Sequence, residues 1–264
     1  MSANLTEVEN ALVGMSAGVI EVLALQPLNY MKNMRQQKLA ISFSPSIMYR
    51  GVGANCFNMG GCTMVQFSVG GMLKSKFQDS NGKLSAMTEM GCGIGAGVTS
   101  AFIGTPLELV MIQQQRKGHS TVAALRSVMN ADILRGFAGC AVREGLWTCG
   151  YLSIPPIIRR QLKTNFPDTF DTDAKARVPA SLLGGLFACY LTHPFDTIKT
   201  CMQGDIERKT YGTFSETAKA IHSEAGIRGF YSGATFRYGR MVCAVAMLDS
   251  LQGLLGPLMF PDKF

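Results

Sequence analysis

The residues best placed to do chemistry follow three prolines. With Pro27, Pro106 and Pro194 as zero, position +2 holds Asn29, Glu108 and Asp196, position +5 holds Lys32, Met111 and Lys199, and position +9 holds Gln36, Gln115 and Gln203. Acids and bases at this spacing suit reversible ion pairing. An acid of one segment can meet the base of the next around a common axis, Glu108 with Lys199 and Asp196 with Lys32. The third pair, Asn29 with Met111, is neutral in both members. No lone charge is then left in a low-dielectric site, where it would be expensive. A proline inside a helix removes one backbone hydrogen bond and bends the helix. Three such helices can converge below their bends and close a cavity, with these side chains as its gate.

The elements that must position the gate form a repeat. Segments Gly14 to Gln37, Gly93 to Arg116 and Ser181 to Gly204 align on the prolines, with small residues at −13 (Gly14, Gly93, Ser181) and at −9 (Gly18, Gly97, Gly185). Such small faces let membrane helices approach closely. A second landmark, Tyr49-Arg50-Gly51, Leu134-Arg135-Gly136 and Tyr231-Ser232-Gly233, precedes an apolar helix in each copy, and a polar amphipathic stretch lies between, clearest at Thr213 to Ser223. The unit is spanning helix, short surface helix, spanning helix, with repeats expected at 1–83, 84–172 and 173–264. A bilayer core about 30 Å thick needs roughly 20 mainly apolar residues per helix. Six windows meet this: Val8 to Leu28, Gly53 to Leu73, Leu84 to Leu107, Ala138 to Ile158, Val178 to Phe195 and Arg237 to Leu258. The expected fold is an all-α membrane protein: six transmembrane helices in three pseudo-threefold repeats, each with a short surface helix. Both termini lie on one side. Hydropathy alone also admits a large soluble helical bundle.

Composition points the same way. The chain has 264 residues, 47% hydrophobic and 16% charged, against about 25% charged in soluble domains. Its eight cysteines include no CxxC and sit among small apolar neighbours, which reads as free packing thiols. The net charge of +7 suits anionic solutes and anionic headgroups alike. The opening MSANLTEVEN shows no basic and apolar leader, so no cleavable signal or transit peptide is expected.

With these motifs the sequence resembles the mitochondrial carrier family. Its pattern in each repeat is a proline, an acid at +2, a base at +5, a second base at +7 and a glutamine at +9, then an aromatic-basic-glycine signature. The third copy fits best; the first departs at Asn29 and the second at Met111, and Met34, Gln113 and Cys201 replace the second base. The resemblance implies alternating-access solute exchange in the inner mitochondrial membrane, with glutamines Gln36, Gln115 and Gln203 bracing the gate. It also implies a cytosolic-side network closing the even helices. Its acid positions are Gly71, Pro156 and Gly253, and its base positions Lys74, Arg159 and Gly256, so an outer gate without an ionic latch is expected.

The resemblance places substrate-selecting positions eight residues after each landmark, at Asn58, Arg143 and Arg240. Arginines at that depth need anionic company, and a guanidinium binds carboxylate in a bidentate way. Arg237 shares the helix face of Arg240. Glu144 follows Arg143, an Arg-acid pair similar to that of amino-acid carriers. The run Phe236 to Arg240, with Gly18 to Glu21, resembles the citrate and 2-oxodicarboxylate branches. The di- or tricarboxylate and 2-oxo-acid reading is favoured here. An amino-acid carrier and a non-transporting membrane receptor or regulator stand as alternatives. A further alternative is that Arg143 and Glu144 only hold helices together. Glu21 is expected to neutralise one arginine, and Gln66 to offer a neutral hydrogen bond. Gly51, Gly136 and Gly233, at helix N-termini, are candidate sites for an anionic lipid such as cardiolipin, or simple caps.

No phosphate-binding loop, nucleophile constellation or metal-ligand spacing is present; His119, His193 and His222 lie far apart. An enzyme is not expected, nor a cofactor, a resident metal or a nucleic-acid partner. The chain is expected to act as a monomer.

Overall fold

The computed structural model describes residues 6–79, 84–150 and 154–263. Residues 1–5 of the opening segment and the expected repeat boundary after residue 83 lie outside these. Ten α-helices follow one another: α1 (Glu7–Gln36), α2 (Pro45–Met48), α3 (Val52–Phe77), α4 (Ala86–Lys117), α5 (Thr121–Asn130), α6 (Phe137–Thr148), α7 (Ile154–Asn165), α8 (Asp173–Gly204), α9 (Phe214–Phe230) and α10 (Ala234–Met259). Among the described residues there is no strand. The fold is the all-α one expected, with long, short, long as its recurring order.

Local chemistry sets the starts of these helices. Thr6 and Thr213 each form a capping box, with Glu9 and Glu216, and Ser85 and Ser120 cap α4 and α5. These caps satisfy N–H groups that a helix leaves orphaned. Gly51, Gly136 and Gly233 cap α3, α6 and α10 with left-handed φ of 77°, 81° and 79°, a conformation that costs glycine little. Pro27, Pro106 and Pro194 all lie inside unbroken helices, α1, α4 and α8.

Large apolar side chains lie exposed on the outside, and many polar and charged ones are buried beside the apolar core. Leu12, Met15, Val19 and Leu23 of α1, Phe57, Met64 and Phe67 of α3, and Leu183, Leu186, Phe187 and Tyr190 of α8 are exposed, while Lys199 is the largest side chain to be fully buried. That inversion suits helices bathed in lipid around a polar interior. Two helices, α1 (over Leu12–Gln36) and α4 (Ala86–Lys117), are long and apolar enough to cross a membrane by composition alone. The polar and charged residues of the interior dilute the hydropathy of the others: α8 carries His193, Asp196 and Lys199, and α10 carries Arg237 and Arg240. The fourth expected span, Ala138 to Ile158, is described in two parts: α6 runs to Thr148 and continues as a π turn over Cys149 and Gly150, and α7 begins at Ile154, just before Pro155 and Pro156. Residues 151–153 lie outside the described residues.

Candidate functional site

The three proline-bearing helices, α1, α4 and α8, bring their +2 and +5 residues together in a cycle. Lys199 Nζ lies 2.7 Å from Glu108 Oε2, and Lys32 Nζ lies 2.8 Å from Asp196 Oδ2. Asn29 Nδ2 points at Met111 Sδ, 3.5 Å away. Each +2 residue therefore meets the +5 residue of the following helix in the order α1 to α4, α4 to α8 and α8 to α1. Behind each +5 residue stands the landmark glycine that caps α3, α6 or α10. A Cβ on Gly51 would come within 2.9 Å of Met111 Cγ, one on Gly136 within 3.3 Å of Lys199 Cγ, and one on Gly233 within 3.1 Å of the Lys32 carbonyl oxygen. Close packing and positive φ account for glycine at all three positions.

Asp196 is the hub. Lys199 Nζ is 3.4 Å from its Oδ1, Arg143 Nε 3.6 Å from the same oxygen, and Arg237 Nη1 3.9 Å from Oδ2. Gln36 Nε2 donates to Asp196 Oδ2 at 2.9 Å, bracing the Lys32 bridge. The other two glutamines do not brace an ion pair, which corrects the expectation for them. Gln115 Oε1 accepts from Asn33 Nδ2 at 2.7 Å, and the side-chain amide of Gln203 finds no polar partner among the described residues.

The missing second base has a substitute that sequence reasoning passed over. Gln113 Nε2 donates to the Gln203 carbonyl at 2.7 Å, and Cys201 Sγ donates to the Gln36 carbonyl at 3.3 Å. Both +7 residues thus close on the +9 carbonyl of the next helix. At Met34, the third +7 residue, no donor exists, and neighbouring Asn33 makes the cross-helix bond instead. The signal was present as the +7 set itself, once neutral donors are counted beside charged ones.

The positions expected to select substrate separate into different surroundings. Arg240 Nη2 is bound by Glu21 Oε1 at 2.7 Å, the neutralising role foreseen for Glu21. Arg237 Nη2 donates to Thr192 Oγ1 at 2.7 Å, and its guanidinium lies 5.6 Å from the Trp147 ring centroid. Asn58 Oδ1 accepts from Cys62 Sγ of its own helix at 3.3 Å. Arg143 Nη2 meets Glu108 Oε1 at 2.7 Å and is also bound by Glu144 Oε1. Glu144 in turn accepts from Gln66 Nε2 at 2.9 Å, and Gln66 donates to Ser100 Oγ at 3.0 Å. The hydrogen bond foreseen for Gln66 is therefore made to protein groups.

At the opposite end an ionic contact is made by an acid outside the expected network. Lys74 Nζ of α3 lies 3.5 Å from Glu89 Oε1 of α4, and Arg160 Nη2 of α7 lies 3.8 Å from Glu89 Oε2. Gly71, Pro156 and Gly253 cannot supply an acid, and Glu89, in the first turn of α4, supplies it instead. On the other side of the bundle Lys263 Nζ reaches Glu9 Oε2 at 3.0 Å.

On the gate side the loop after α8 is fixed by two ionised groups. Arg135 donates through Nε to the carbonyls of Met202 at 2.7 Å and Asp205 at 3.0 Å, and through its Nη atoms to those of Gly212 and Tyr211. Asp205 accepts main-chain N–H bonds from Lys209 at 3.2 Å, Thr210 at 2.7 Å and Tyr211 at 2.9 Å. Burial alone would raise its carboxyl pKa, but the three N–H donors outweigh burial and hold it below the ordinary value.

A helical bundle whose proline-bearing helices pair in a cyclic order, with apolar side chains on its outside, suits a membrane carrier. Residues 173–251 match the family described as mitochondrial carrier protein. Similar proteins span most of the chain. They include the mitochondrial glycine transporter of Saccharomyces cerevisiae, 26% identical over 87% of this chain and 84% of its own length. The mitochondrial citrate transporter A of Aspergillus niger is 22% identical over 94% of each. The probable mitochondrial 2-oxodicarboxylate carrier of Dictyostelium discoideum is 26% identical over 85% of this chain and 82% of its own. The match over residues 173–251 and the similarity of these transporters along most of the chain support the mitochondrial carrier family.

Proposed function

We propose that the chain exchanges a small carboxylate-bearing metabolite across the mitochondrial inner membrane by alternating access, and that an amino acid suits it better than a tricarboxylate. The observation that carries this is the charge balance. The interior cations Lys32, Arg143, Lys199, Arg237 and Arg240 are matched by Glu21, Glu108, Glu144 and Asp196, an excess of one positive charge when all are ionised. A tricarboxylate would bring three negative charges to arginines that already have partners. A zwitterion needs both signs close together, and Arg240 with Glu21, or Arg143 with Glu144, offers them. The buried Arg237 Nη1 and Arg240 Nε find no hydrogen-bond acceptor among the described residues, which supports α10 as the receiver of the substrate carboxylate. Asn58, Arg143 and Glu144 complete the site in this reading. The relative named for glycine agrees with it.

The three arginines together support a 2-oxodicarboxylate as the second reading, in line with the relative named for that substrate. The lower gate is formed by Pro27, Lys32, Gln36, Pro106, Glu108, Gln115, Pro194, Asp196, Lys199 and Gln203, with Gln115 and Gln203 in packing roles. Anionic lipid at the helix N-termini of Gly51, Gly136 and Gly233 belongs to the same reading.

The test is counter-exchange in cardiolipin-containing liposomes loaded with unlabelled solute and offered labelled glycine, aspartate, 2-oxoglutarate, citrate or ADP. Amino-acid exchange that is lost in Arg240→Ala is expected. Exchange of citrate alone would overturn the charge-balance argument, and no exchange of any solute by folded protein would favour a receptor.

A further inference from the structure

In the first and third copies the residue just before the proline ties its helix to the landmark of the same repeat, and the two ties differ. Gln26 Nε2 donates to the Arg50 carbonyl at 3.2 Å, and its Oε1 accepts from Asn55 Nδ2 at 2.8 Å. Both ends of that amide are used. His193 Nε2 lies 3.1 Å from the carbonyl of Ser232, the register equivalent of Arg50. A carbonyl oxygen only accepts, so Nε2 carries the hydrogen and Nδ1 presents a bare lone pair. The register equivalent of Asn55 is Arg237, four residues after the landmark glycine, and it donates to Thr192 Oγ1 at 2.7 Å instead. His193 is fully buried, yet its Nδ1 finds no partner among the described residues.

We propose that His193 is a proton-binding site, and that the carrier moves a net-negative solute together with one proton held there. A neutral amide makes the same tie in the first copy, so the tie does not need a titratable ring. What the imidazole adds is a nitrogen that can take up a proton near neutral pH. Arg237 and Tyr238 of α10, Lys32 of α1 and the landmark Tyr231 surround it. Cys189, Tyr190 and Asp196 lie within a turn of it on α8, with Asp196 on the same helix face. With the site empty the interior carries one positive charge in excess, and a second would be an uncompensated buried charge. A monoanionic solute at α10 and a proton on Nδ1 together leave that balance as it was. The proton comes from water on the side where the solute enters, turns the neutral ring into imidazolium, and returns to water on the side of release. A zwitterion brings no net charge and needs no proton. The inference rests on the carboxylate-exchange reading above and assigns its ion coupling.

Two measurements on the full chain in vesicles test it. Labelled aspartate or 2-oxoglutarate, taken up against the same unlabelled acid, should enter several-fold faster with the outside at about pH 6 than at about pH 8, a range in which these acids stay ionised and histidine titrates. His193→Gln copies Gln26 and keeps the tie, and its uptake should be flat over that range. A pH response that survives the substitution belongs to another group, Lys32 foremost, and overturns the assignment. The second measurement needs no variant and decides the matter if His193→Gln does not fold. With glycine inside, aspartate outside and a pH-sensitive dye trapped in the lumen, aspartate entry should acidify the lumen, while glycine against glycine leaves the dye unchanged. Aspartate entry without acidification, or exchange of zwitterions alone, would sink the proton coupling and leave the transport reading intact. A folded chain that exchanges no solute at all would remove that reading and this inference with it.

Discussion

Asn29 Nδ2 and Met111 Sδ stand 3.5 Å apart at the place where the other two helix pairs hold a carboxylate against a lysine. The pair has been neutralised on both sides, which is the only neutralisation that strands no charge. Asn29→Asp alone or Met111→Lys alone should therefore lower thermal stability in detergent, by about 3–5 kcal/mol if the new charge stays buried. The double variant should recover most of that loss. A double-mutant cycle with no coupling would show that the two positions do not face each other.

Asp196 gathers Lys32, Lys199, Arg143, Arg237 and Gln36. Asp196→Asn should consequently be the most destabilising single change in the gate, exceeding Lys32→Met, because it strips an anion from several buried cations together. Unfolding midpoints of the two purified variants check the order. Equal losses would deny Asp196 its central place.

The small faces of the proline-bearing helices differ in what they touch. A Cβ on Gly97 would lie 2.7 Å from Gly145 Cα and overlap the Glu144 main chain, whereas one on Gly14 would meet nothing within 4 Å. Gly97→Ala should cost about 1–3 kcal/mol through overpacking, and Gly14→Ala should stay within about 0.5 kcal/mol of wild type. Thermal shift in one detergent compares them directly.

Asp205 gives a pH test outside the membrane-spanning helices. Its folded pKa lies below the ordinary 3.8, so the bound carboxylate contributes stability above that value. The contribution is lost as pH falls below about 4 towards the lowered folded pKa. Asp205→Asn should reduce stability at neutral pH and flatten the acid limb of the stability curve. An acid limb of unchanged slope would assign the pH response to other carboxylates.

Much of the gate was legible because repetition fixes depth. Residues at one offset from three aligned prolines sit at one level of a pseudo-threefold bundle, and pairing acid to base then follows from charge alone. Glu21 with Arg240 was also within reach, as a buried acid looking for the nearest arginine. What escaped depends on side-chain reach rather than register. The offset of Arg143 places it with the cavity residues, yet its long guanidinium extends to Glu108. Gln203 shares the offset of Gln36, but among the described residues no donor or acceptor meets its amide. Glu89 lies outside every repeat signature, and only the packing of α4 beside α3 brings it to Lys74.

Lys74 with Glu89 joins α3 to α4, and Lys263 with Glu9 joins the final turn to α1. Arg160 of α7 adds a second cation beside Glu89. Among the described residues these contacts join helix ends along one rim, so under the proposed exchange a solute entering from that side is discriminated chiefly at the depth of the vestibule floor.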